Sequence, residues 1–408
     1  MKVKALGLAI ALGLTSASQA LAGFYVQNGN LYEGNGSQFV MRGVNHAHTW
    51  YTSQLTNALQ GIASYNANTV RVVLSNGHKW TYNSASEVAN IIQQAKDNNL
   101  IAVLEVHDTT GYGEDSAAST LASAVDYWIS IKDQLIGQED YVIINIGNEP
   151  FGNNVSASQW VNEHNTAISR LRNAGFTHTL MVDAPNWGQD WQNIMRDNAS
   201  SVFNADPQKN IVFSVHMYEV YGSYNAVNNY MAAFDSANLP LVIGEFASTH
   251  KGSNVDEAAI MERAQAYQMG YLGWSWSGND ASTADLDIVN SWNNSSLSSW
   301  GNTLIHGSNG ISSTSTLASI YTGSTGGGNG GNNGYPTCSS SAADPDGDGW
   351  GWENNQSCIV DTSSSNNQAT HANNGYPYCS SSSVDPDGDG WGWENSSSCV
   401  VRGSSADS

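Results

Sequence analysis

Two carboxylates stand in matching contexts. Glu149 follows an apolar run in YVIINIGNEP (141–150), and Glu245 sits near the end of PLVIGEF (240–246), 96 positions later. Both runs are rich in β-branched residues, which suit strands buried on both faces. Gly147 breaks the first run and Pro150 ends any pairing. A carboxylate just past the C-terminal end of a buried parallel strand lies at the mouth of an α/β fold, where such folds keep their chemistry. Two such carboxylates are the equipment that glycoside hydrolysis requires.

Other residues of the right type end or lie within further apolar runs. Arg71 is inside TVRVV, and a buried arginine needs a carboxylate partner, which a nucleophilic Glu would supply. His107, Asn148, His216, Tyr218 and Trp274 lie at or near strand ends. Taken singly, each has a plainer reading. A strand-end Glu is a solvated turn residue, Arg71 a structural ion pair, and His107 and His216 satisfied core histidines. Glu105 reads as structural, and Trp128 and Trp160 sit at helical core spacing. The combination, not any member, makes a site. His46 and His48 flank Ala47 with no third ligand at metal spacing, so no catalytic metal and no cofactor are expected.

The elements that must position these groups recur in one rhythm. Eight apolar runs, at 39–45, 69–74, 101–107, 141–146, 179–183, 211–216, 241–245 and 271–276, alternate with helical patterns. Ser84 and Glu87 form a capping box before a helix ending near Asn98. Trp160, Ala167, Ile168 and Leu171 mark another helix, with Gly175 just past its end. The reading is α/β: a (β/α)8 TIM barrel over residues 23–322. An open doubly wound sheet is the alternative, but no Gly-rich dinucleotide turn follows the first strand.

Charge narrows the partners. The 408-residue chain carries 14 basic against 36 acidic residues, a net charge of −22. Nucleic acid and anionic membrane surfaces are thereby excluded, since phosphate binding needs clustered Lys and Arg. An uncharged polymer is indifferent to this charge. The 14 Trp suit stacking on sugar rings. Residues 1–22 read as an export signal: Lys2 and Lys4, an apolar core, then Ala20-Leu21-Ala22. Secretion to the extracellular space is expected, and no later stretch is a membrane span.

All four cysteines follow residue 337, in an internal repeat of period 41. The copies occupy 334–360 and 375–402, after linkers 323–333 and 361–374. They read as two small, disulfide-bonded, mainly β modules on flexible linkers, and a monomer is expected. Cys338 with Cys358 and Cys379 with Cys399 is the simplest pairing, although four cysteines allow three connectivities. Closing such a loop is worth roughly 3 kcal/mol, which a module this small needs. Each copy contains DPDGDGWGWE. It imitates the opening of an EF-hand, but Asn355 stands where the bidentate Glu belongs, so an Asp/Gly turn is the simpler reading. Trp350 and Trp352, like Trp391 and Trp393, would share one side of an extended segment and offer a flat platform to a polysaccharide. Tyr335 and Tyr376 would extend it.

The motifs NEP (148–150), GEF (244–246), VHMY (215–218) and WSW (274–276) together resemble glycoside hydrolase family 5 over residues 24–321. RGVNHAHTWY (42–51) and DAPNWGQDW (183–191) look like its bacterial β-mannanase branch. The resemblance implies Glu149 as general acid/base and Glu245 as nucleophile of a retaining mechanism, with carboxyl groups about 5–5.5 Å apart. It further implies Arg71 and Tyr218 holding Glu245, Asn148 on the sugar 2-hydroxyl, and His107 and His216 lining the site. Trp274 would floor the subsite before the bond, and His46, Trp50 and Trp187 are candidates for further subsites. The YPxC…DGWGWE…SC pattern resembles family 10 carbohydrate-binding modules, which bind cellulose, although one Cys pair per copy stands where a second is often found. The implied substrate is β-mannan. An endo-β-1,4-glucanase and a non-catalytic polysaccharide-binding protein are the other readings.

Overall fold

The computed structural model describes residues 23–322, 350–353, 356–359, 377, 379, 389–394 and 397–401. The export segment, both linkers, Tyr335, Tyr376 and Cys338 lie outside the described residues. Internal contacts fall into two units, Met1–Tyr321 and Thr322–Ser408.

The first unit is a closed barrel of eight parallel strands. In order these are Arg42–His46, Thr69–Leu74, Ile101–Val106, Val142–Asn145, Leu180–Asp183, Ile211–Met217, Leu241–Phe246 and Gly270–Gly273. The first begins later than expected and the eighth stops before Trp274. Helices fill the intervals, the longest being Ala157–Asn173. The helix Ala85–Asp97 starts on the expected capping box, Ser84 with Glu87.

Strand alternation divides the side chains. Val70, Val72 and Leu74 face the helices and join the large outer core with Trp128 and Trp160. Both indoles also reach strand ends: Trp128 Nε1 donates to the Ile146 carbonyl at 2.9 Å, Trp160 Nε1 to that of Asp183 at 3.2 Å. Inside the barrel there are two storeys. The lower is apolar: Ile101, Val103, Ile143, Met181, Val212, Val242 and Leu272, plugged from below by Phe24, Leu31 and Phe39. Burying each aliphatic side chain contributes about 1.5–3 kcal/mol. The upper storey is polar, with Asn45, Arg71, Glu105, Asn145, Asp183, His216 and Glu245 all buried.

One strand departs from alternation, and the site depends on it. Val242 faces inward and Ile243 outward, so strict alternation would send Glu245 outward as well. The pairing register shifts here, with Val215 opposite Ile243 but His216 opposite Glu245. Gly244 is the extra residue of a bulge, a device that re-aims a side chain. A Cβ on Gly244 would lie 2.3 Å from Ser214 Oγ and 3.1 Å from His216 Nε2. Only glycine lets the strand turn Glu245 inward beside His216.

In the second unit, Trp350–Glu353 pairs antiparallel with Gln356–Ile359, and Trp391–Glu394 with Ser397–Val400. Cys379 and Cys399 form a disulfide with Cα atoms 5.0 Å apart. Trp391 and Trp393 are both exposed, at 37% and 66%, while Gly392 between them is buried. Among the described residues no helix is long and apolar enough to cross a membrane.

Candidate active site

The polar storey opens at the C-terminal end of the strands. Arg71 is its centre. Its guanidinium donates to Glu245 Oε1 at 2.8 Å, Asn148 Oδ1 at 2.6 Å, Asn145 Oδ1 at 2.9 Å and Asn45 Oδ1 at 3.0 Å. Asp183 at 3.4 Å and Glu105 at 3.9 Å complete the anions around it. Burial opposes its charge, but Glu105, Glu245 and Asp183 outweigh burial and raise its pKa. The other oxygen of Glu245 accepts from Tyr218 Oη at 2.9 Å. Burial and the charges of Glu245 and Glu149 push that phenol well above its ordinary pKa, so it stays a donor.

Glu149 reaches the same space from the loop after the fourth strand. Its backbone is left-handed, with φ +40°. Its Oε1 is 2.7 Å from His216 Nδ1, and His216 Nδ1 is 3.5 Å from Glu245 Oε2. One oxygen from each Glu and one nitrogen of His216 lie within 4.8 Å of one another. Burial alone would lower the His216 pKa, but Glu245, Asp183 and Glu149 raise it to about 9. Burial alone would raise Glu149, yet the His216 hydrogen bond and charge, with His107 and Arg71, hold it below its ordinary value. Both shifts favour an imidazolium facing a carboxylate. Gly188, at φ +73°, makes room for it: a Cβ there would stand 2.7 Å from His216 Nδ1 and 2.8 Å from Glu149 Oε1.

The third strand supplies His107, whose Nδ1 lies 2.8 Å from Glu105 Oε1. Burial opposes its protonation and the Glu105 carboxylate outweighs burial, so its pKa is raised. Trp274 stacks near His107, with centroids 6.0 Å apart and planes at 23°. Asn148 turns its amide nitrogen to Thr110 Oγ1 at 2.8 Å.

The cleft extends beyond the carboxylates. His107, Asn148, Glu149, Tyr218, Glu245 and Trp274 line it, as does Trp187. An adjoining hollow shares Trp187, Gln189 and Lys251 and adds Trp191. Trp187 and Trp191 are oriented by Glu114 and Asn153, which accept from their indole nitrogens at 3.2 and 2.8 Å. Trp50 stands edge-on to His107, with centroids 5.1 Å apart, and to Trp80 at 5.2 Å.

Arg71, His107, Asn148, Glu149, His216, Tyr218, Glu245 and Trp274 thus converge. His46 does not. Asn45 points inward to Arg71, so alternation sends His46 outward, where it is fully buried beside His48 and Trp292. Among the described residues neither ring nitrogen has a hydrogen-bond partner, and burial, aided by His48, lowers its pKa to about 3. It is a core residue and not a subsite. Asp183, Trp80, Trp191, Gln189, His250 and Lys251 were not singled out by the sequence reading. Trp80 and Trp191 carry the one available signal, an indole in a loop after a barrel strand.

Comparison with known proteins fits this geometry. The cellulase family, glycosyl hydrolase family 5, matches residues 32–280. A cellulose or protein binding domain matches twice, at 328–360 and 368–401. A mannan endo-1,4-beta-mannosidase of Cellvibrio japonicus (strain Ueda107) is 61% identical over 362 residues, covering 87% of this chain and 84% of its own. One from Streptomyces lividans is 54% identical over 371 residues, covering 90% and 96%. The solved mannohexaose complex of Thermomonospora fusca beta-mannanase superposes with a TM-score of 0.71 at 53% identity, covering 74% of this chain and 99% of that one.

Proposed function

The chain belongs to glycosyl hydrolase family 5, and from that premise we propose a secreted endo-β-1,4-mannanase that cleaves internal bonds of mannan, glucomannan or galactomannan with retention. The observation that carries the mechanism is the approach of Glu149 and Glu245 within 4.8 Å in unlike surroundings. That spacing supports a double displacement over an inverting reaction, whose carboxyl groups stand about 6.5–9.5 Å apart.

Glu245, oriented by hydrogen bonds from Arg71 and Tyr218, attacks the anomeric carbon. Substrate excludes water, and the His216 proton passes across the 2.7 Å bond to Glu149, which gives it to the leaving oxygen. Esterification removes the charge of Glu245, the strongest of the anions that keep His216 protonated. Glu149 is then a carboxylate beside a neutral ring. It takes a proton from the incoming water, which hydrolyses the ester and frees Glu245. Asn148 bonds the 2-hydroxyl, and Trp274 carries the sugar before the cleaved bond. Trp187 and Trp191 on one side and Trp50 on the other suit a long chain, hence internal cleavage.

The substrate assignment rests on the relatives named as mannan endo-1,4-beta-mannosidases. The modules, spanning 334–360 and 375–402 on linkers 323–333 and 361–374, would hold the enzyme on cellulose through Trp350, Trp352, Trp391 and Trp393. Two tethered modules raise avidity for a surface. Residues 1–22 would direct export, leaving a mature chain from Gly23. The test is reducing-sugar release from β-mannan and from carboxymethylcellulose, side by side, with Glu245→Ala as blank. Release from mannan is expected. Release mainly from the cellulose derivative would keep the site and replace the substrate.

A further inference from the structure

One buried anion of the upper storey has no part in the steps above. Asp183 ends the fifth strand and is fully buried. Its Oδ1 accepts from Asn145 Nδ2 at 2.8 Å, which fixes the plane of the carboxyl. Its Oδ2 accepts the backbone N–H of Glu149 at 3.2 Å. The same oxygen lies 3.4 Å from His216 Nε2 and 3.4 Å from Arg71 Nη2. Asp183 therefore touches both partners of the Glu149–His216 pair, on the sides away from their shared hydrogen bond.

Each contact answers a need. Glu149 holds a left-handed backbone, a conformation that persists only where surroundings impose it. Its buried N–H must have an acceptor, and Asp183 provides one. His216 bonds Glu149 through Nδ1, and a ring held at one nitrogen can still swing about it. Nε2 makes no hydrogen bond among the described residues, and the Asp183 carboxylate 3.4 Å from it acts by charge, favouring the doubly protonated form. The charged and titratable groups within 3.5 Å of His216 are Glu149, Asp183 and Glu245. Beyond Glu245 stand Tyr218 and Arg71, and beyond Arg71 the Glu105–His107 pair. Asp183, like Glu105, has no role of its own toward the sugar, but it alone of the two touches both Glu149 and His216.

We propose that Asp183 is a positioning residue for the acid step, holding the Glu149 backbone by a hydrogen bond and setting a carboxylate beside the far nitrogen of His216, so that the proton between them stays aligned with the cleaved bond. This rests on the catalytic roles proposed above. Removing its charge leaves Glu245 able to attack but leaves the proton donor misaligned and less readily charged.

The test uses the full chain, with Asp183→Asn compared to wild type on two substrates. β-1,4-mannohexaose has a leaving alcohol that needs a proton. A 2,4-dinitrophenyl β-mannobioside has a leaving group that does not. The variant should lose about 100-fold in kcat/KM on the hexaose, within the usual worth of general acid catalysis, and less than about 5-fold on the aryl glycoside. The basic limb of its kcat/KM profile should move to lower pH by about one unit, because one anion favouring the proton on His216 is gone. Equal losses on both substrates with an unmoved basic limb would reduce Asp183 to structural support and overturn the proposal, as would full activity on both. Where the amide variant does not fold, Asp183→Ser is read the same way, since it keeps an acceptor for the Glu149 N–H but no charge. Wild type inactive on mannohexaose would count against the proposed substrate alone. The same ratio on cellohexaose and its dinitrophenyl glycoside would then decide the role of Asp183.

Discussion

Two arginines are buried in one barrel and meet opposite surroundings. Arg42, on the first strand at the lower end, donates to the carbonyls of Met41 and Met269, to Gln265 and to Thr314, and lies 4.4 Å over the Tyr271 ring. Among the described residues no carboxylate answers it, and burial lowers its pKa to about 10. Arg71, in the upper storey, faces three carboxylates that outweigh its burial. The lower end spends a cation on neutral dipoles to close the barrel. The upper end gathers like charges that would repel without Arg71. Buried histidines repeat the contrast. His46 and His164 are driven down to about 3 and about 4 by burial, whereas His216 is driven up to about 9 by its anions. The residue type does not set the role; the charge around it does.

The sharpest test of that division is loss of the upper carboxylates. Glu245→Ala should reduce kcat by at least about 10⁴-fold and Glu149→Ala by about 10²–10⁴-fold, with melting temperatures near wild type. A comparable loss from Arg42→Met in its folded fraction would break the comparison.

Exchanging each arginine comes next. Arg71→Met leaves three carboxylates facing one another without a cation, and should cost about 3–5 kcal/mol in denaturant titration together with nearly all activity. Arg42→Met strands neutral acceptors, each worth about 1–3 kcal/mol, and should leave kcat of the folded protein unchanged.

pH separates the histidines more finely. The folded pKa of His216, about 9, stands above its ordinary 6.5. Its contribution to stability is complete below about 6.5 and lost as pH rises to about 9. His46 runs the other way: its folded value of about 3 lies below 6.5, so it costs stability as pH falls from 6.5 towards 3. Melting temperatures across this range should show His216→Phe flattening the alkaline side and His46→Leu the acid side. The reverse assignment would contradict the electrostatic account. The smallest effect belongs to the outlying platform. Trp191→Ala should raise KM for mannohexaose severalfold, about 1–2 kcal/mol of lost stacking, with kcat kept.

The barrel was legible because its eight runs are long, β-branched and separated by capped helices. The convergent set was legible because its members, Arg71 inside a strand apart, end or closely follow a strand. What escaped is what only closure of the barrel creates. Asp183 belongs to a quoted motif, yet nothing local says that its carboxyl meets Glu149 and His216 from the next strands. The bulge at Gly244 is equally hidden: alternation from Val242 would turn Glu245 towards the helices, and only the paired register reveals the correction. His46 was misread for the opposite reason. Its neighbour Asn45 takes the inward position, and strand parity then commits His46 to the core.

The central claim is that Glu149 and Glu245 act together in a double displacement. Following mannohexaose cleavage by ¹H NMR reads it directly. The account requires the β-anomer of the new reducing end to appear first, with the α-anomer growing only by mutarotation. First appearance of the α-anomer would mean inversion and would contradict the roles given to both carboxylates.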